Sequence, residues 1–388
     1  MKRAIALAGG GPAAGLHIGA LEKFDKAGIK FDVWALSCIG AWVGIVYNQC
    51  DPGKEVEQTR QFFHDYVFRD DVSYSRFPIN SVFGADSAAI TRALAAFVLD
   101  PNSYRNLWLP SHLMAAAQDT LAFLRDPSRW NEGDFNRWTL NSVLSVNPFV
   151  RYWTSVMYLS RINGLSRICY PDSNFMRSIK FERLFEKDKP FIFHNAWNIN
   201  KRRLALFSNK PSFKPEDYRR ITPTSLCACS ALPYVEETVD IDGETYCEGA
   251  LIDTVNFKRL IKDHDLDEIW VSRIVSEKQV RPPNTLADAL ANLCMLFAAT
   301  VGEDDIKLFR FHAEKEKWPG RLIEIEVADQ INFEWTHSNL EYGRKLGYHA
   351  TERAIEKYKL DQSAPTTKKK MNYRAVASKL SEQPSGAL

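Results

Sequence analysis

Apolar residues follow two different spacings along the first fifty positions of the chain. A short apolar run at residues 4–8 ends at three consecutive glycines, and large apolar side chains then recur at helical spacing up to Phe24. A second apolar run, at residues 31–36, is followed by Gly40 and another apolar helix. This order of strand, glycine turn, helix, strand, sharp turn and helix predicts an α/β fold, with a mostly parallel sheet sandwiched by helices.

The stretch from residue 51 to about residue 184 has a different character. It is rich in aromatic residues and broken by prolines, and it contains helical patterns at residues 88–99 and 113–124. We interpret it as a largely helical insertion that covers the ends of the strands. Peripheral helices with no role in substrate binding fit the same pattern equally well.

Strand patterns return after this insertion. They cover residues 190–196, 203–208 and 268–274, and a hairpin is predicted around Asp242 and Gly243. We expect these strands to extend the same sheet, so that residues 1–360 form a single domain. Residues 361–388 lose the apolar periodicity and carry five basic residues against two acidic ones, which predicts a disordered tail.

Composition excludes several classes of protein without indicating an activity. The 388 residues are 45% hydrophobic, and 50 basic against 48 acidic residues give a net charge of +2. No overall field therefore attracts nucleic acid, and no stretch has the uninterrupted apolar length of a membrane span. Seven scattered cysteines form no CxxC pair and have no zinc spacing, so we expect a cytoplasmic protein without a bound metal.

The glycines Gly9, Gly10 and Gly11 leave backbone N–H groups unhindered at the start of a helix. Such donors stabilise an anion or a developing oxyanion. A dinucleotide-binding turn is one use of this arrangement, but Ala14 stands where a third glycine is needed and Asp32 opens the second strand instead of ending it. An oxyanion hole for acyl transfer is the other use, and it requires a nucleophile on a neighbouring turn.

The second predicted strand ends in a turn that carries two nucleophilic side chains. The segment Leu36-Ser37-Cys38-Ile39-Gly40 follows this strand and precedes a helix, as a GxSxG nucleophile elbow does. Placing Gly40 on the final glycine of the motif puts Cys38 at the nucleophile. A turn shifted by one residue would make Ser37 the nucleophile instead.

These motifs resemble those of the patatin-like acyl hydrolases. In that family a GGGxxG loop follows the first strand, a GxSxG elbow follows the second, and an aspartate in a DGG or DGA turn completes a catalytic dyad. The triple glycine, the elbow at Cys38 and the turn Glu248-Gly249-Ala250 match these motifs in the same order. By this resemblance, Cys38 replaces the nucleophilic serine and Glu248 replaces the aspartate.

The resemblance, which covers roughly residues 3–50 and 190–275, implies a function. The protein is expected to hydrolyse a lipid-type ester or thioester without a cofactor, with Cys38 as nucleophile, Glu248 handling the proton and the glycine loop as oxyanion hole. Peripheral membrane contact is compatible with such a substrate. Transfer of the acyl group to another acceptor stays open, as does a catalytically inactive lipid-binding member of the fold.

The departures from the family pattern bear on the chemistry. A helix N-terminus lowers the pKa of a thiol, whereas a neighbouring carboxylate raises it, and the sequence leaves open which effect is larger. Leu36 stands where the family has a glycine, so we expect it to crowd the turn. His17 and His194 are expected to be packing or surface residues instead of general bases.

Overall fold

The computed structural model describes residues 1–82, 87–104, 109–160, 163–167, 170–211, 218–273, 280–315, 318–327, 329 and 331–363. Its strands are β1 (Arg3–Leu7), β2 (Val33–Leu36), β3 (Gly164–Ser166), β4 (Phe191–Asn198), β5 (Arg203–Ser208), β6 (Tyr218–Arg220), β7 (Tyr234–Glu236), β8 (Val239–Ile241), β9 (Glu244–Glu248), β10 (Glu268–Arg273) and β11 (Arg321–Glu326). Its helices are α1 (Ala14–Lys26), α2 (Ile39–Gln49), α3 (Glu55–Tyr66), α4 (Asp71–Arg76), α5 (Ser87–Leu99), α6 (Pro110–Arg125), α7 (Glu132–Trp138), α8 (Pro148–Thr154), α9 (Asn174–Ser178), α10 (Pro223–Ser230), α11 (Phe257–Asp263), α12 (Leu286–Lys315) and α13 (His337–Ser363).

The central sheet is mostly parallel, as the alternating pattern predicts. Its order within the described residues is β11-β10-β1-β2-β4-β5-β6, and the strands from β11 to β4 run parallel. Strand β5 runs antiparallel to β4, and the β8–β9 hairpin joins β4 through β9. Strand β3 pairs with β7 in a separate two-stranded sheet. Together with the helices from α3 to α9, this arrangement confirms the predicted fold class and its helical insertion.

Helices cover both faces of the sheet, and alternate side chains of β1 show this. Ile5 and Leu7 belong to a core that also contains apolar residues of α1, α2 and α13. Ala4 and Ala6 belong to a second core with residues of α11 and α12. A sheet that is buried on both faces explains why its strands are continuous apolar runs in the sequence.

The register of the first two strands places two loops at one edge of the sheet. In the parallel pair of β1 and β2, Leu7 lies opposite Leu36. The Ser37 N–H donates to the Leu7 carbonyl oxygen at 3.1 Å and extends this pairing by one residue. Gly9 and Cys38 therefore follow their strands at equivalent positions, at the carboxyl edge where ligands bind in such sheets.

Helices α1 and α13 contact each other backbone to backbone. A Cβ atom at Gly19 would lie 1.9 Å from the carbonyl oxygen of Arg344, and one at Gly347 would lie 2.0 Å from that of Leu16. A Cβ atom at Gly15 would lie 2.3 Å from the Leu340 carbonyl oxygen of α13. Only glycine permits this approach, so small residues on both helices set their distance.

The sequence also predicts a disordered tail after residue 360 and no membrane-spanning segment. Helix α13 continues to Ser363, beyond Leu360, where the tail was predicted to begin. The remainder of that predicted tail, residues 364–388, lies outside the described residues. In the part of the chain that the structure describes, we find no helix with the length and apolar character needed to cross a membrane.

The contact between α1 and α13 yields a stability prediction. Gly19→Ala should lower the free energy of unfolding by about 2–3 kcal/mol, because the added methyl group overlaps the Arg344 carbonyl oxygen and forces the helices apart. Urea unfolding followed by circular dichroism measures this change. Gly133→Ala in α7 is the control, because its nearest neighbour would lie 3.4 Å away. Equal losses in the two variants would contradict the prediction.

Candidate active site

The three turns singled out in the sequence meet at Gly9. A Cβ atom at Gly9 would lie 3.1 Å from the Cβ of Cys38 and 3.1 Å from the Cβ of Ala250. The glycine loop, the elbow and the turn that follows β9 are thus in contact although they are far apart in the chain. A side chain at Gly9 would therefore be in tight contact with both of the other turns.

The elbow holds Cys38 in a constrained backbone conformation. Its φ of 48° and ψ of −123° lie in a region that side chains rarely adopt, and α2 begins at the next residue. Gly40 permits this turn, because a Cβ there would lie 2.2 Å from the Leu7 carbonyl oxygen. The Cys38 thiol is consequently presented at the N-terminus of α2, where the Ile39 N–H acts to lower its pKa.

Leu36 is accommodated away from the turn. Its side chain is fully buried and lies against Gly44, where a Cβ atom would be 2.5 Å from the Leu36 Cδ2. Gly44, six residues after Cys38, leaves room for the Leu36 side chain, so Leu36 does not crowd the elbow as the sequence predicted.

The Cys38 thiol and the Glu248 carboxyl group are close enough for each to shift the pKa of the other. Burial raises the pKa of Glu248 to about 7, against a smaller opposing effect of the thiol. Burial and the charge of Glu248 raise the pKa of the Cys38 thiol well above its usual value, and the Ile39 N–H opposes this only in part. Of the two effects left open by the sequence, the carboxylate outweighs the helix N-terminus, and burial raises the thiol pKa more than either of them changes it.

The three glycines of the loop differ in their hydrogen bonds. The Gly9 N–H donates to the Thr254 hydroxyl at 3.0 Å and is therefore engaged within the protein. Gly10 and Gly11 are half-buried, and their N–H groups have no acceptor within the described residues. The ring of Phe333 lies beside Gly11, with its Cζ 2.8 Å from where a Cβ would be. Two of the three predicted donors can thus bind an incoming oxygen atom.

A buried polar network that sequence reasoning missed connects the elbow to the other turns. The Ser37 hydroxyl donates to Asn195 Oδ1 and accepts from Asn256 Nδ2, both at 3.2 Å. Asn195 Nδ2 donates to the Asp253 carbonyl oxygen at 2.6 Å and to Asn256 Oδ1 at 3.1 Å. Ser37 is fully buried in this network, whereas Cys38 is half-buried.

Two carboxyl groups accept hydrogen bonds from the backbone of the segment that contains Thr254 and Asn256. Asp305 Oδ2 accepts the N–H of Thr254 at 2.7 Å, and Asp253 Oδ1 accepts that of Asn256 at 2.6 Å. Burial and the charge of Asp253 raise the pKa of Asp305, and burial also raises the pKa of Asp253. Both shifts disfavour two negative charges in this part of the fold.

The two histidines considered in the sequence are engaged elsewhere. His17 hydrogen-bonds to the Ala8 carbonyl oxygen and to the Ser272 hydroxyl, both at 2.9 Å, and His194 bonds to the Ser225 hydroxyl at 3.1 Å. Burial lowers the pKa of each histidine to about 4, so both are neutral. Among the described residues no group of three or more histidine, cysteine or acidic side chains is arranged to hold a metal ion.

The signal for the missed residues in the sequence is weak. Asn195 is a polar residue within an apolar strand, which indicates a buried hydrogen-bonding role without showing its partner. Asn256 has a φ of 59°, a conformation that asparagine tolerates better than most residues. Neither feature distinguishes these asparagines from ordinary polar residues before the fold is known.

Comparison with known proteins identifies a family. The model of the patatin-like phospholipase family matches residues 5–261. No curated protein sequence matches the chain. A crystal structure of VipD from Legionella pneumophila is similar with 12% identity and a TM-score of 0.37, over 92% of this chain and 67% of VipD. Human GIVD cytosolic phospholipase A2 in complex with methyl gamma-linolenyl fluorophosphonate is similar with 10% identity and a TM-score of 0.35, over 92% of this chain and 59% of the human protein.

The polar network can be tested by changing one amide. Asn256→Asp should lower the free energy of unfolding by about 2–3 kcal/mol, because it removes the donor to Ser37 and adds a carboxylate beside Asp253. Guanidinium denaturation provides the measurement. Asn200→Asp is the matched control, since among the described residues this exposed side chain makes one hydrogen bond, which it accepts from the Thr245 N–H. Similar stabilities of the two variants would refute a structural role for the network.

Proposed function

Since the chain belongs to the patatin-like phospholipase family, we propose that it is a lipid acyl hydrolase with Cys38 and Glu248 as its catalytic dyad. The observation that carries this proposal is the meeting of the Cys38 and Ala250 turns at Gly9, which brings the Cys38 thiol close to the buried Glu248 carboxyl group. The N–H groups of Gly10 and Gly11 lie on the loop that contacts Cys38 through Gly9. A nucleophile, a base and oxyanion donors are the components that acyl transfer requires.

The first half of the proposed reaction forms a thioester on the protein. The Glu248 carboxylate takes the thiol proton as the Cys38 sulfur bonds to the carbonyl carbon of the substrate. The carbonyl oxygen becomes negatively charged and accepts hydrogen bonds from Gly10 and Gly11, each lowering the barrier by about 3 kcal/mol. Collapse of this intermediate breaks the bond to the leaving group, which receives the proton from Glu248.

The second half releases the acyl group. A water molecule attacks the thioester carbon while Glu248 accepts one of its protons. The same two N–H groups stabilise the second oxyanion, and its collapse expels the Cys38 sulfur, which regains a proton from Glu248. The products are a carboxylic acid and the free thiol. An alcohol or amine in place of water would give acyl transfer by the same steps, so an assay with added acceptor distinguishes the two outcomes.

The raised pKa values define how the dyad works in this proposal. A thiol with a raised pKa is protonated at rest, so its deprotonation has to accompany the attack on the carbonyl carbon. A carboxylate with a pKa of about 7 is a far stronger base than an ordinary glutamate. Glu248 can therefore serve as the base in place of the family's aspartate. Its burial is what makes the carboxylate strongly basic.

An acyl adduct should form on Cys38. We expect incubation with nitrophenyl butyrate, followed by acid quenching and peptide mass spectrometry, to show a butyryl group on the Cys38 peptide. Cys38→Ala should lose the adduct and lower turnover by about 10³-fold or more. Cys294→Ala is the control for a second partly accessible thiol and should keep both. An adduct on Ser37, or none together with no turnover, would overturn the assignment.

The pH dependence of the reaction should follow Glu248. We expect kcat/KM for the same ester to rise about tenfold per pH unit at low pH and to level off above about pH 7, because only the ionised carboxylate accepts the thiol proton. Glu248→Gln should lower turnover by about 10²–10⁴-fold and remove this rise. Glu244→Gln on the same strand should retain it, since hydrogen bonds from Lys201 and Tyr246 hold the pKa of Glu244 at about 2. The assignment fails if Glu248→Gln keeps the wild-type profile.

A further inference from the structure

A second cysteine contacts the backbone of the proposed nucleophile. The N–H of Cys38 donates a hydrogen bond to the Sγ atom of Cys229, a residue of α10, at 3.2 Å. Within the described residues this N–H has no other acceptor. The sulfur of Cys229 therefore has a polar role at the elbow, which an apolar side chain of similar size could not fill.

The hydrogen bond limits how far apart the two cysteines can be. Adding the covalent bonds on either side of it places the two Cα atoms within about 7 Å of each other, which is the outer limit for a disulfide. A Cys38 rotamer with its sulfur gauche to its own nitrogen brings that sulfur to about 3 Å from the nitrogen. Rotation about the Cα–Cβ bond of Cys38 can therefore bring the two sulfur atoms together.

Helix α10 is held in place at both of its ends. At its start, Thr222 and Ser225 form a capping box. At its end, the Ser230 hydroxyl accepts a hydrogen bond from the indole N–H of Trp42, a residue of α2, at 2.5 Å. Since α2 begins directly after Cys38, this bond fixes the end of α10, which carries Cys229, beside the elbow.

The other cysteine of α10 does not share the position of Cys229. Both Cys227 and Cys229 are buried in the same apolar core. They are two residues apart, so their side chains leave the helix about 200° apart. The hydrogen bond from the Cys38 N–H goes to Cys229. Two cysteines with equal burial thus differ in their relation to the elbow, which provides a matched control.

The sulfur atoms of Cys38 and Cys229 differ in their access to solvent. Cys38 is half-buried, whereas Cys229 is fully buried. A small oxidant such as hydrogen peroxide therefore reaches Cys38 first. The Glu248 carboxylate is close enough to raise the pKa of both thiols, so one base can accept a proton from either of them.

We propose that Cys38 and Cys229 form a reversible disulfide when the protein meets a hydroperoxide, and that this bond inactivates the acyl hydrolase site. The inactivation rests on the proposed function, because only a nucleophilic Cys38 is lost to catalysis in this way. The disulfide itself depends only on the contact between the two residues.

The oxidation proceeds in two steps. In the first, the Cys38 sulfur bonds to one oxygen of hydrogen peroxide, the O–O bond breaks, and Glu248 transfers the thiol proton to the departing oxygen, which gives a sulfenic acid and water. In the second, the Cys229 sulfur bonds to the Cys38 sulfur, the S–O bond breaks, and the thiol proton leaves with the hydroxide as water. Two thiols lose two electrons in total, and one peroxide is reduced to two waters.

The position of Cys229 protects Cys38 from irreversible oxidation. A sulfenic acid that meets no thiol reacts with a second peroxide and becomes a sulfinic acid, which dithiothreitol does not reduce. A disulfide, in contrast, is reduced by dithiothreitol, which becomes oxidised in exchange. Recovery of activity after oxidation should therefore depend on Cys229.

Peroxide treatment followed by reduction tests the inference on the full chain. Wild type is incubated with hydrogen peroxide, alkylated under denaturing conditions and digested without reductant. We expect mass spectrometry to show a Cys38 peptide linked to a Cys229 peptide. Turnover of nitrophenyl butyrate should fall about tenfold or more, and dithiothreitol should restore it.

Two variants of α10 make the test specific. Cys229→Ser, whose hydroxyl can still accept the Cys38 N–H, should lose turnover in peroxide without recovering it, and its Cys38 peptide should carry a sulfinic acid. Cys227→Ser should form the disulfide and recover like wild type. Circular dichroism melting checks that each variant is folded, and Cys229→Ala replaces the serine variant if that variant is unfolded.

Three results would overturn the disulfide. Oxidised wild type gives no linked peptide, or Cys38 is linked to another thiol, such as Cys294 on α12. Alternatively, Cys229→Ser recovers as fully as wild type. Turnover that persists in fully linked protein would refute the inactivation and the role of Cys38 as nucleophile. A Cys38–Cys229 linkage in a protein that never hydrolyses the ester would support the disulfide and refute the proposed function alone.

Discussion

Hydrogen bonds around two buried asparagines hold together turns that arise from different strands. Asn195 belongs to β4 and Asn256 to the start of α11, yet both bond to the Ser37 hydroxyl beside the nucleophile. An amide or hydroxyl buried without a partner costs about 1–3 kcal/mol, so the partners have to assemble together or not at all. The geometry of the site is therefore part of the folded core and is not a later adjustment of surface loops.

Ionisation of Glu248, in contrast, lowers the stability of the folded protein. The pKa of Glu248 in the folded protein is about 7, above the usual value of 4.5, so its contribution to stability is fully present below about pH 4.5 and is lost as the pH rises through 7. The ionised form that can act as a base is thus the form that destabilises the fold. The neighbouring pair of Asp253 and Asp305 behaves in the same direction.

Apolar periodicity and turn residues in the sequence were sufficient to predict the strands and turns of the central sheet. The apolar run before Gly9, the sharp turn at Cys38 and the hairpin at Asp242 follow from periodicity and turn chemistry, and they fix the fold class. Asn195 and Asn256 could not be assigned, because their partners come from other parts of the chain. The relief of Leu36 by Gly44 was equally hidden, since it depends on how α2 packs against β2. Burial raised the pKa of Glu248, and burial follows only from the assembled fold.

The glycine contact between α1 and α13 joins an early helix to a late one. A ribosome completes α1 long before it begins α13, so the nascent chain carries an uncovered groove of small residues during most of its synthesis. Phe333, which lies beside the glycine loop, immediately precedes α13 and also arrives late. Cys38 and Glu248 are therefore translated before Phe333 and α13. The site is complete only after these later segments have left the ribosome.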